Sequence, residues 1–237
     1  MKKAIYPERQ GTITADSENS AYPATNLSNN YRKKVWQAVN AVQTATLTVP
    51  ISANSSAIAL YNTNATSGTI TIADGGTPVL GATAITIDQG RYWQEYTRYT
   101  SSCVATIELT TTETTLECGI VRAGDVVSMK DPKRGISETL KDYSIKKSLR
   151  NGAYYTKKLE MVRMLSWSCL MARETEFRSL MSLYEYYGPD PFAMLITDNI
   201  SSSDDIWTIF GCFNGIPSAT HTDETYSDVS ISIEETV

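Results

Sequence analysis

The chain has 237 residues, enough for one large or two medium domains with cores of their own. Its formal net charge of −5 gives no bulk-charge reason to expect nucleic acid or an anionic membrane as partner. No stretch approaches the roughly 20 apolar residues of a spanning helix, and MKKAIYPERQ has two lysines with no apolar run behind them. Neither a membrane span nor a secretory signal is expected, and the protein is expected to be soluble and made in a cytosol.

The first informative stretch is YPATNLSNNYRKKVWQA (22–38), a polar, Asn-rich segment that ends on Trp36. A tryptophan there has a physical use. It buries on the order of 200 Å² and ties an otherwise mobile entry segment to a core.

From 44 to about 118 the chain is rich in Thr, Ser, Ala and β-branched residues. It reads as seven short strands, at 45–52, 56–62, 68–74, 84–88, 92–99, 103–112 and 115–121. In GTITIAD, Ile70 and Ile72 alternate with Thr69, Thr71 and Ala73, the period of two that marks a strand with one buried face. Asn-Ser, Thr-Ser-Gly and Asp-Gly-Gly punctuate the run, and the spacing predicts a β-sandwich. GGTPVLGAT (75–83) is Gly-rich, but no GK[ST] and no helical pattern follows, so it reads as a turn between strands and not as a phosphate loop. TTTETT (110–115) reads as a sheet edge or hairpin.

RYWQEYTRY (91–99) interleaves aromatics with polar groups. Rings that stack on sugar faces beside groups that catch hydroxyls make Tyr92, Trp93 and Tyr96 candidate sugar-binding residues. The alternative places Trp93 and Tyr99 in the sandwich core and leaves Tyr92 and Tyr96 as surface strand residues.

Charge density rises from Lys130, and a domain boundary is expected near Gly119–Gly124, giving domains 1–118 and 119–237. Residues 130–163 hold ten Lys/Arg against four Asp/Glu; residues 164–237 hold two against twelve. Balances of +6 and −10 suit faces that meet between copies of the chain, with Lys133, Arg134, Lys146 and Lys147 on the basic side and Asp204 and Asp205 on the acidic side. Head-to-tail contacts of this kind close into rings and weaken with salt. The basic segment with its tyrosines also suits a nucleic-acid groove, but the acidic segment beside it cancels the charge, and no nucleic-acid partner is expected.

KKLEMVRMLSWSCLM (157–171) reads as one long strand or a pair. RETEFRSLMSLYEYYG (173–188) is the one clear helix, over about 173–187. Phe177, Leu180, Met181, Tyr184 and Tyr187 form a stripe, Glu174 and Glu176 stand in the first turn, and Gly188 with Pro189 ends it. Strands follow at 191–197, 205–214 and 227–235.

The chemistry of catalysis is thinly represented. The lone histidine, His221, sits in a polar, turn-like stretch, and the four cysteines are too far apart for a CxxC pair and read as buried free thiols. Asp198, Asp204 and Asp205 lack the alternating ligand pattern of a calcium loop. No catalytic residue, cofactor or metal site is expected, and the protein reads as a non-enzyme.

Asn26-Leu27, an eight-residue spacer and Trp36, followed by AIALYNTNATSGTITI (57–72), resemble the galactose-binding-like (jelly-roll) β-sandwich of bacteriophage tail proteins. GIVRAGDVVSMK (119–130) and the run from RGIS at 134 to Asp198 resemble the β-barrel-plus-helix module of distal tail and baseplate hub proteins of the same phages. The resemblance implies a mainly β chain in two domains, a sandwich and a β-barrel-like domain with one amphipathic helix. It implies a structural role in a tail tip or baseplate, in the virion, after synthesis in the bacterial cytoplasm. The implied partners are other copies in a ring, tail tube and hub proteins. The alternative is a carbohydrate-binding module contacting host-surface glycans.

Overall fold

The computed structural model describes residues 2–148, 154–196, 208–221 and 224–236. The chain is mainly β. It divides into two compact units, Met1–Met129 with Phe192–Phe210, and Lys130–Pro191 with Gly211–Val237.

The first unit contains β1 (Lys2–Glu8), β2 (Thr14–Ala15), β3 (Trp36–Gln37), β4 (Thr44–Ile51), β5 (Ser55–Thr63), β6 (Ser67–Asp74), β7 (Thr77–Thr86), β8 (Arg91–Tyr99), β9 (Cys103–Thr110) and β10 (Glu117–Met129). The later chain adds β11 (Ser137–Asp142), β12 (Ile145–Ser148), β13 (Tyr154–Lys157), β14 (Met161–Ala172), the helix α1 (Arg178–Tyr187), β15 (Phe192–Leu195), β16 (Thr208–Phe213), β17 (Ser218–His221) and β18 (Tyr226–Glu235). Among the described residues no helix is long and apolar enough to cross a membrane.

The first unit is a β-sandwich. One sheet has the order β2-β4-β9-β6-β7, and β10-β5-β8 forms the body of the other. Strict alternation builds the layer between them. Ala45, Leu47, Val49 and Ile51 of β4 point inward, as do Cys103, Ala105, Ile107 and Leu109 of β9, and Leu47 stands opposite Ile107 in register. They meet Ile58 and Leu60 of β5 and Val121 and Ala123 of β10 in one apolar cluster.

β5 is buried on both faces, which alternation alone does not reveal. Its odd residues Ala57, Ala59 and Tyr61 join Ile5, Trp93, Ile120, Leu195 and Phe210 in a second cluster. The Tyr61 and Phe210 rings lie 5.6 Å apart, and the Tyr61 hydroxyl is 2.7 Å from the Thr208 hydroxyl. β15 pairs with β1, so chain from beyond residue 190 completes the first unit.

Two expectations are corrected here. The division at 118/119 falls inside β10, which pairs with β5 from Cys118 to Gly124 and with β1 from Gly124 to Met129. Gly119 and Gly124 mark close approach of backbones, not a linker: a Cβ on Gly119 would stand 2.9 Å from the Arg32 carbonyl oxygen. The 75–83 turn is confined to Gly75 and Gly76, at φ +54° and +96°, and Thr77 starts a ten-residue strand. β7 is an edge strand, where Pro78 and Gly81 cost no ladder partner on the open side.

In the second unit β18 is central. β14 pairs along one side of it, and β17 and then the end of β16 pair along the other, with β11 outside β14. Leu165, Trp167, Cys169 and Met171 face inward with Val229, Ile231 and Ile233. The expected helix is present as a π-helical turn, Arg173–Phe177, running into α1. The buried residues are Leu180, Leu183 and Tyr187, while Phe177, Met181 and Tyr184 of the expected stripe are half-buried. Glu176 Oε2 accepts the Ala172 N–H at 2.8 Å and starts the helix; Gly188, at φ +55°, donates to the Tyr184 carbonyl and ends it.

Candidate interaction surfaces

The three aromatics expected to form a sugar-binding strand surface are not on a surface. Trp93 is 6% and Tyr96 9% exposed, and Tyr92 is half-buried against the inter-sheet cluster. Trp93 lies in the second cluster and Tyr96 in the inter-sheet one, so the strand is packed on both sides. A bulge explains why alternation misleads. Two steps along β5, Ser55 to Ala57, match four along β8, Tyr99 to Glu95, and across this irregular stretch Tyr99 packs against the same cluster as Tyr92 and Tyr96. The polar partners are used internally: Trp93 Nε1 donates to Glu95 at 3.0 Å, Glu95 pairs with Lys3 at 2.8 Å, and the Tyr92 hydroxyl donates to Gln94 at 2.7 Å.

The expected assembly residues are scattered among different settings. Lys133 is held by Asp228 at 2.7 Å within the second unit. Lys146 and Lys147 lie on the β12–β13 hairpin, whose strands pair only with each other. Residues 145–148 and 155–158 of that hairpin are all exposed. Asp204 and Asp205 lie outside the described residues, as does Asp198.

Arg134 borders a cleft of about 580 Å³ in the second unit. Ser137, Ser166 and Ser232 stand side by side on β11, β14 and β18, and Ser230 and Ser218 are paired in the adjacent row. Residues directly opposite in a ladder share a face and sit about 4.8 Å apart between strands, so the floor is a lattice of hydroxyls. Ile216, 68% exposed, borders the cleft with Asn214.

The 22–38 segment is anchored far more firmly than its composition suggests. Trp36 and Leu27 are fully buried, and Trp36 Nε1 donates to the Ser17 carbonyl at 3.1 Å. Asn26 Nδ2 reaches the Val35 carbonyl at 2.9 Å. The Arg122 side chain, 1% exposed, donates to the carbonyls of Leu27 (3.2 Å) and Asn29 (2.7 Å) and to Asn30 Oδ1 (2.9 Å). Its Nε lies 3.0 Å from Glu8 Oε1, an ion pair without hydrogen-bond alignment, and its guanidinium sits 5.1 Å from the centre of the Phe210 ring. The sequence singled out Trp36 but assigned Arg122 no role of its own, because the orphan carbonyls of the segment that it satisfies are 92 to 95 residues away. What this scaffold presents to solvent is Tyr31, 68% exposed, with Lys33 and Lys34, while Arg32 between them is half-buried.

Among the described residues His221 and the four cysteines stand in separate settings. His221 is exposed at the end of β17, with Nδ1 2.8 Å from the Ser227 hydroxyl, where a loop was expected. Cys103, Cys118 and Cys169 are buried free thiols and Cys212 is half-buried. Burial raises all four pKa values, Cys118 to about 12, the opposite of an activated thiolate. Among the described residues no group of His, Cys, Asp and Glu is placed to hold a metal.

The sequence matches no protein-family model and no curated protein. Solved structures share part of the architecture. Chitosan-binding module 1 of a chitosanase/glucanase from Paenibacillus sp. IK-5 gives a TM-score of 0.40 at 19% identity, over 49% of this chain and 98% of that one. A module of a family 89 enzyme from Clostridium perfringens, in complex with GalNAc-β-1,3-galactose, gives 0.38 at 13% identity, over 47% and 93%. XRCC1 bound to the DNA polymerase β catalytic domain gives 0.39 at 11% identity, over 50% and 97%. Likenesses at this level carry no inference about function, which rests on this chain's own residues.

Proposed function

We propose that the protein is a non-catalytic structural component that assembles with copies of itself and with other protein chains, in the setting its sequence resemblance implies, the tail tip or baseplate of a phage. It is made in the bacterial cytoplasm and works in the virion, in a ring with tube and hub proteins. The observation that carries the assembly role is the β12–β13 hairpin. A two-stranded hairpin is marginal in water by itself, and among the described residues this one has no third strand and no buried residue. It carries Lys146, Lys147, Lys157 and Lys158 with Ile145 and Tyr155, a mixture suited to covering by a neighbouring protein. Exposed Leu140 and Met161 lie on β11 and at the start of β14. Hydrogen exchange of the full chain, alone at low concentration and in its assembled state, tests this. Protection of 145–157 should appear only on assembly; protection already complete in the dilute monomer would refute the role.

A second reading, glycan recognition, is favoured by the hydroxyl-floored cleft beside Arg134. Its volume lies in the range of small-ligand sites. Titration of the full chain and of Arg134→Ala with neutral and acidic oligosaccharides separates the readings, because a purely structural role predicts no saturable binding.

A further inference from the structure

We infer that the Tyr31–Lys34 turn of the first unit docks on the C-terminal end of α1 in a second copy of this chain; the inference rests on the assembly reading above and names its partner. The turn is preorganised. Asn29 Oδ1 accepts the Tyr31 N–H at 2.5 Å, Asn29 Nδ2 donates to the Lys34 carbonyl at 3.1 Å, and Asn62 Nδ2 donates to the Arg32 carbonyl at 2.6 Å. The Lys34 N–H closes the turn onto the Tyr31 carbonyl at 3.0 Å, and Lys34 Nζ lies 5.7 Å from the centre of the Tyr31 ring. A loop that is ordered before it binds avoids most of the ordering cost of association. Its exposed content, Tyr31 with Lys33 and Lys34, is that of an interface anchor for an acidic surface.

The end of α1 supplies such a surface, and the helix itself shows the need. The negative end of a helix dipole favours Lys or Arg in the last turn, but α1 has no basic residue there. It has Glu185 instead, and Asp190 follows two residues after the capping Gly188. Both are exposed, and among the described residues neither makes an ion pair. Six other carboxylates of the second unit are matched: Glu174 by Arg178, Glu176 by Lys130, Asp228 by Lys133, Glu234 by Lys141, and Glu138 and Glu235 by Arg163. Glu185 and Asp190 thus add unmatched negative charge to a helix end that already carries it. Tyr186, which lies between them in sequence, is 52% exposed and packs edge-on against Tyr187 with ring centres 4.8 Å apart. A contact from the first unit of one copy to the second unit of the next is heterologous, so it propagates and closes into a ring where the rotation allows.

Charge reversal tests the contact in the full chain. Lys33→Glu/Lys34→Glu and Glu185→Lys/Asp190→Lys, each checked for an unchanged melting temperature, should each weaken self-association by about tenfold or more at low salt in sedimentation velocity. Mixing the two variants, or combining all four substitutions in one chain, should restore association. Self-association of either variant equal to the parent's overturns the contact while leaving the assembly reading intact. A parent that stays monomeric at every concentration defeats both. Unchanged association with loss of polygalacturonate binding in Lys33→Glu/Lys34→Glu assigns the turn to an anionic glycan and overturns the inference.

Discussion

Arg122 and Leu27 are 95 residues apart in sequence, and the buried Arg122 guanidinium donates to the Leu27 carbonyl at 3.2 Å. Through this and the bonds to Asn29 and Asn30, one side chain on β10 satisfies backbone and side-chain acceptors of a segment with little regular structure. The Asn-rich entry stretch is thereby made part of the sandwich.

Replacing Arg122 with methionine keeps much of the volume and removes every donor. The Leu27 and Asn29 carbonyls are left short of partners, and Glu8 is left without its cation. The expected loss is about 3–5 kcal/mol of stability in urea denaturation, with earlier proteolytic cleavage within 28–35. A loss below 1 kcal/mol would show that water replaces the guanidinium without cost.

Trp36→Ala opens a cavity in the inter-sheet core and should cost about 3–5 kcal/mol. Trp36→Phe keeps most of the apolar area and loses the bond to Ser17, so its cost should be clearly smaller, about 1–2 kcal/mol. Equal effects of the two substitutions would mean that the hydrogen bond, not the packing, anchors the segment.

Alkali should weaken the first unit. Burial pushes the Tyr96 hydroxyl from 10.0 and the Cys118 thiol from 9.0 up to about 12. The unfolded chain releases these protons first, so the stability they contribute is complete below about pH 9 and is lost as pH rises towards 12. Urea midpoints should fall across that window, and Cys118→Ala should flatten the first part of the decline. A midpoint level from pH 8 to 12 would be inconsistent with burial of these groups.

Acid acts at the start of the helix. The Ala172 N–H, and then Lys130, hold the Glu176 carboxyl below its ordinary value of 4.5. Its contribution is therefore present above the ordinary carboxylate range and is lost as pH falls through the depressed folded value. Glu176→Gln should melt earlier than the parent at pH 7, with the gap narrowing as the pH falls below the ordinary carboxylate range; a gap independent of pH would count against this role.

Much of the fold was legible where one face of a strand is wet. β4, β6, β9 and β18 alternate in sequence as they do in space, and the helix was visible from its stripe and its glycine stop. Legibility failed where both faces are buried or a strand is irregular. Trp93 and Tyr96 read as a surface because a bulge and a second core behind β5 leave no local pattern. The return of 192–210 to the first unit is a long-range pairing that local composition does not encode, and the glycines of β10 imitate a linker. The interaction surfaces were legible only as charge. The +6 and −10 segments were visible, but which charges are already paired within one unit depends on the fold: Lys133 is spent on Asp228, while Glu185 and Asp190 have no ion pair among the described residues.

The most direct test of the central claim is native mass spectrometry of the purified full chain over a range of concentration and salt. An assembling structural protein should give a discrete higher-order species that grows with concentration and dissociates as salt is raised. A single 26.1 kDa species at every concentration and salt would contradict it.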